Sequence, residues 1–62
     1  MNYMLLEEAR KDKGITVTEI CSKLNINRST WYRWIGGEHN PSIEKLLKAC
    51  SIMGIDVNEL AK

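Results

Sequence analysis

An all-α fold, a compact bundle of five short helices, is what this sequence predicts, and three observations predict it. Apolar residues such as Ile43, Leu46, Leu47, Cys50 and Met53 recur at helical spacing. A regular series of capping residues and helix-stopping glycines divides the chain into segments of helical length. Trp31 and Trp34 stand three residues apart, so one helix carries a bulky aromatic stripe suited to a core.

The first helix is expected from about Tyr3 to Lys13, with Leu5, Leu6 and Ala9 on its apolar side and Gly14 as the left-handed residue that ends it. Lys11 and Lys13 suit its negative C-terminal end. Thr16 then reads as an N-cap with Glu19 three residues on, a capping box opening a second helix that buries Ile20, Cys21 and Leu24. Asn25 tolerates the left-handed conformation of a tight turn, and Ile26 plugs inward. Asn27 caps a third helix that runs to about Ile35, where Gly36-Gly37 stop it. After the loop Glu38-His39-Asn40-Pro41, Ser42 caps the fourth helix, which bears the apolar series quoted above and ends at Gly54. Asp56 with Glu59 reads as a second capping box, for a last short helix carrying Val57 and Leu60. The second and third helices with their short turn make a helix-turn-helix from Val17 to Gly36.

Length and composition bound what such a bundle does. With 62 residues there is room for one domain, residues 1–62, and a domain of that size buries only about 60% of the surface its unfolded chain exposes. Apolar residues at 44% and charged residues at 27% describe a folded globular protein rather than a disordered one. No apolar run approaches the roughly 18 residues of a membrane span, and Met1-Asn2-Tyr3-Met4 lacks a signal-peptide layout, so a cytoplasmic protein is expected. Cys21 and Cys50 are too few and too far apart for a zinc site and are expected reduced in the core. His39, the single histidine, has no acidic or nucleophilic partner by spacing, so no enzyme, metal or cofactor is implied. Nor is a small-molecule effector expected, since these residues offer no ligand-binding domain for one.

Net charge is only +1, yet its distribution is uneven. Residues 1–13 balance three basic against three acidic groups, whereas residues 14–35 carry Lys23, Arg28 and Arg33 against Glu19 alone. On a wheel of about 100° per residue, Thr30, Trp31, Trp34 and Ile35 gather on one side of the third helix and Arg28, Ser29, Tyr32 and Arg33 on the other. The tryptophan side is core. The opposite side holds two arginines, each able to bond guanine O6 and N7 in bidentate fashion, beside a serine and a tyrosine that reach phosphate or base edges. A generic solvated helix mixes signs and places acidic groups in its first turn; this one opens on Arg28 and bears no acidic group.

The segment VTEICSKLNINRSTWYRWIG followed by GEHNPS resembles the lambda-repressor-like or Cro-like (XRE) helix-turn-helix family, over roughly Leu5 to Leu60. The matching features are Thr16 at the cap, Ile20, Leu24, Ile26, Trp31 and Trp34 at apolar positions, Gly37 after the third helix, and Asn40-Pro41-Ser42 before the fourth. The resemblance implies a third helix lying in the major groove with the second crossing above it, usually in a dimer whose half-sites lie about one helical turn, roughly 34 Å, apart. It also implies a prokaryotic or phage-encoded regulator. Carried over by position, Arg28, Ser29 and Arg33 fall where bases are commonly read, with Asn27 and Tyr32 beside them as base or sugar-phosphate contacts. Thr30 and Asn40 fall at backbone-contact positions. Main-chain amides at Val17 and Ser42 suit phosphate, and Lys45 adds charge one turn into the fourth helix.

Three residues depart from the family pattern. Val17 stands where many relatives place a phosphate-binding glutamine, leaving only its amide for that contact. Asn25 replaces the usual turn glycine at little cost. Ile35 replaces a glutamate that in many relatives pairs with an arginine matching Arg10, so Arg10 is left to Glu7, solvent or phosphate. The expected function is sequence-specific double-stranded DNA binding by a small transcriptional regulator, most simply a repressor, acting as a weak homodimer that forms on DNA. The alternative is a protein-interaction module, such as an antitoxin-like or accessory subunit, in which Ile35, Tyr32 and the last helix form a contact surface.

Overall fold

The computed structural model describes residues 1–61, and in them five helices follow one another: α1 Met4–Asp12, α2 Val17–Leu24, α3 Arg28–Ile35, α4 Ile43–Met53 and α5 Val57–Leu60. Among the described residues there is no strand, and every helix begins and ends within about one residue of the expected position.

The caps account for this agreement. Thr16 Oγ1 accepts the Glu19 amide at 3.1 Å while Glu19 Oε1 accepts the Thr16 amide at 3.3 Å, closing the capping box at the start of α2. Thr16→Ala is accordingly expected to cost about 1 kcal/mol, read as a lower urea midpoint at an unchanged slope. Asn27 and Ser42 cap α3 and α4 by accepting the amides of Thr30 and Lys45. At α5 the expected box gives way to a simpler cap. The Asp56 carboxylate accepts from the Asn58 amide at 2.9 Å, and the Glu59 amide turns instead to the Asp56 carbonyl at 3.0 Å. The helix is only four residues long, and a short aspartate side chain reaches its second amide more readily than its third.

Helices α1 to α4 end in the same way, each on a left-handed residue, Gly14, Asn25, Gly37 and Gly54 in turn. Asn25 adopts φ 56°, ψ 47°, and the Asn25 and Ile26 amides return to the Ser22 and Cys21 carbonyls at 3.2 and 3.0 Å. Gly54, at φ 70°, repeats the pattern at the end of α4, with the Gly54 and Ile55 amides on Ser51 and Cys50. These ends satisfy carbonyls that a helix terminus otherwise leaves without partners.

Helix α1 packs on α3 and α4, α2 on α3 and α4, and α5 on α4. The Asn2 amide donates to the Leu60 carbonyl at 2.7 Å, fastening the start of the chain to the end of α5. Between the helices lie Leu6, Ile20, Cys21, Leu24, Trp31, Trp34, Leu46, Ala49, Cys50, Met53 and Leu60, and every buried residue among those described is apolar. The Trp31 and Trp34 rings sit 6.1 Å apart at 54°, within the favourable range for tilted aromatic pairs. Both cysteines are free, and burial pushes each thiol up from its ordinary value. Among the described residues no helix is long and apolar enough to cross a membrane.

One part of the expected core is corrected. Ile43 and Leu47 belong to the apolar series of α4 by spacing, but they are 67% and 49% exposed, and Ala49 is buried instead. Leu46, Ala49, Cys50 and Met53 span an arc of about 100° facing the other helices, and Ile43 and Leu47 lie about 20° and about 60° past its edge.

Candidate nucleic-acid interface

Helix α3 divides as its sequence does. Trp31 and Trp34 are buried, Thr30 and Ile35 are half-buried, and Arg28, Ser29, Tyr32 and Arg33 are exposed. Its eight residues make a rod about 12 Å long, comparable to the width of the major groove. Its first turn has no acidic residue, so the positive end of the helix dipole adds to Arg28 rather than being offset.

The N-terminus of α3 is held by a single atom. Asn27 Oδ1 accepts from the Thr30 amide at 2.9 Å, from Thr30 Oγ1 at 2.8 Å and from Ser29 Oγ at 2.8 Å. Three of the candidate contact residues are therefore joined in one cluster before any ligand arrives. The arrangement sets what each offers outward. With Oδ1 occupied, Asn27 presents its amide nitrogen, a donor suited to phosphate or a base carbonyl. The Ser29 and Thr30 hydroxyl protons point at Asn27, so their lone pairs face out and accept from base amino groups, whereas donating to a phosphate requires each proton to turn away from the cap.

The other candidates lie outside α3. Asn40 is exposed in the loop before α4, and Ser42 at its cap is exposed with its hydroxyl engaged by the Lys45 amide at 3.3 Å. Val17 is half-buried at the first position of α2. Lys45 is turned inward: its Nζ donates to the Leu24 carbonyl at 2.8 Å, tying α4 to the last turn of α2 next to the interhelical turn. Its charge thus serves the negative end of α2 first.

Arg10, whose partner the sequence left open, is settled on Glu7. Its Nε donates to Glu7 Oε1 at 2.6 Å and its Nη1 to the Ile15 carbonyl at 2.7 Å, so the guanidinium is held at the junction of α1 and α2. Glu7 Oε1 also accepts the Trp31 indole Nε1–H at 3.1 Å. The Arg10 bond is the chief reason the Glu7 carboxyl lies below the usual carboxylate range; partial burial opposes it and the Trp31 bond supports it. The sequence signal for half of this cluster is the spacing of Glu7 and Arg10, three apart on one helix. The indole contact, 24 residues away, has no local signal.

A short capped helix, anchored by tryptophans and opening outward on two arginines, a serine and a tyrosine, stands next to a second helix across a three-residue turn, Asn25 to Asn27. A family model described as a helix-turn-helix domain matches residues 3–62, which takes in all five helices. No curated protein and no solved structure matches the chain significantly. The arrangement of α2, turn and α3 is the feature that defines such domains, and with the match running through α5 the chain belongs to the helix-turn-helix domain family, of the XRE type.

Proposed function

We propose that residues 1–62 are a single DNA-binding domain that recognises a specific double-stranded site and acts as a small transcriptional regulator, most simply a repressor, in the cytoplasm. The observation that carries this reading is the outward face of α3, where Arg28, Ser29, Tyr32 and Arg33 are exposed opposite the buried tryptophans. Arg28 and Arg33 read base edges in the major groove. Ser29 and Asn27 adjust the fit. Thr30, Asn40 and the amides at Val17 and Ser42 position the backbone, with Lys45 supplying charge to the same side.

Fluorescence anisotropy against a duplex with the preferred site tests this reading through salt. Two neutralised phosphates suffice for about a tenfold loss of affinity between about 50 and 200 mM monovalent salt, so at least that loss is expected. Binding that ignores salt, or that is equal for every duplex, contradicts it.

We further propose that two copies bind one site as a weak homodimer. The domain measures 27 × 24 × 19 Å over its Cα atoms, so copies spaced by one helical turn, about 34 Å, barely meet. The exposed Ile43 and Leu47 offer an apolar patch for such a contact, far smaller than the roughly 600 Å² per partner of a stable interface. Sedimentation at micromolar concentration is expected to show monomer alone and two copies on a two-fold duplex; a stable dimer without DNA contradicts this.

A further inference from the structure

We propose that Glu7 is a positioning residue for DNA reading, setting the pose in which α3 presents Arg28 and Arg33 to the groove. The proposal rests on the DNA-binding reading above and adds a residue that touches no DNA. One carboxylate oxygen, Glu7 Oε1, holds Arg10 Nε at 2.6 Å and Trp31 Nε1 at 3.1 Å, and Arg10 Nη1 holds the Ile15 carbonyl at 2.7 Å. The three contacts join α1, the α1–α2 connection and the middle of α3. The Glu7 and Arg10 side chains are only 13% and 12% exposed, so salt and water weaken the pair little.

The reason this matters for reading is geometric. Apolar burial is non-directional, and the packing of Trp31 and Trp34 alone leaves α3 free to roll slightly on the core. A rotation of about 10° moves a group about 6 Å from the helix axis by about 1 Å, and displacements of that size are enough to spoil a positioned contact. The indole N–H bonded to Glu7 stops that roll, because a hydrogen bond has a preferred direction. Trp31 lies three residues after Arg28 and two before Arg33, so the stop acts at the centre of the reading face.

The carboxylate must be ionised to receive both donors fully. Because the folded-state value of Glu7 is lowered, chiefly by Arg10, its contribution is present at neutral pH and is lost only as pH falls below the ordinary carboxylate range.

The test uses the full chain with Glu7→Ala, which removes the acceptor, Trp31→Phe and the double variant, each read in two ways. Amide exchange in the free protein compares α3 with α4. Anisotropy compares the preferred duplex with a scrambled one. The expected result is about a tenfold faster exchange in α3 relative to α4, and about a tenfold loss of preference for the correct duplex, with scrambled-duplex affinity nearly unchanged. Trp31→Phe removes the donor together with part of the buried indole, so it also costs overall stability; in duplex preference it is expected to act likewise, and the double variant is expected to lose no more preference than Trp31→Phe alone. Exchange that rises equally in α3 and α4 with an unchanged duplex preference makes Glu7 a stabiliser of the whole fold and overturns the proposal. A wild-type chain that prefers no duplex overturns the DNA-binding reading itself, so the two failures are distinct.

Discussion

Arg28→Ala is expected to cut affinity for the preferred duplex by about 10-fold to 100-fold and to flatten preference at one base pair, because a bidentate arginine–guanine pair discriminates by about 1–3 kcal/mol. Affinity for unrelated duplex should change far less, since one cation of several is lost. The expectation follows from Arg28 being exposed at the first position of α3, beside the amide ends of the helix. Arg33→Ala, five residues on, is expected to flatten preference at a different base pair. Equal losses for all duplexes would instead make both arginines phosphate contacts and shift the reading to Ser29 and Tyr32.

Trp31→Ala is expected to abolish cooperative unfolding or bring its midpoint close to the start of the titration. Trp31 is 0% exposed and is the largest fully buried side chain, and removing such a ring costs about 3–5 kcal/mol. A chain of 62 residues at about 0.05–0.15 kcal/mol per residue has a total stability of only about 3–9 kcal/mol. Ile43→Ala, at an exposed position of α4, is expected to stay within about 0.5 kcal/mol of wild type. Chemical denaturation followed by circular dichroism checks both. A mild loss for Trp31→Ala together with a large one for Ile43→Ala would contradict the placement of the core.

How much of this was legible in the sequence depended on how local each cause is. The caps at Thr16, Asn27 and Ser42 and the left-handed turn at Asn25 are decided within four residues, and all lie where the sequence put them. The two faces of α3 were equally legible, because the apolar and polar positions sort onto opposite sides of one helix. The edge of the buried arc on α4 was not. Ile43 and Leu47 have the spacing of core residues, and only the docking of α1 and α2 decides that the arc stops short of them. Asp56 and Glu59 carry the letters of a capping box, but a four-residue helix offers too little first turn to use both.

The candidate site shows the same division. Arg28, Ser29, Tyr32 and Arg33 were found from periodicity and are exposed together. The engagement of Ser29 and Thr30 by Asn27 Oδ1 and of Lys45 by the Leu24 carbonyl depends on rotamers and on helix docking. Those contacts change what each residue offers a ligand. Ser29 and Thr30 become outward acceptors, and Lys45 comes to the interface with one proton already committed to α2. The Glu7–Trp31 bond spans two helices and leaves no trace in either segment alone.

Selection of bound duplexes from a random library tests most directly the central claim that the outward face of α3 reads DNA. Enrichment of a two-fold related site is expected, with half-centres about one helical turn, roughly 34 Å, apart, and with loss of one defined base position in each half when Arg28 is replaced by alanine. No enrichment over the starting library, or an enriched sequence that Arg28→Ala and Arg33→Ala leave unchanged, would contradict it.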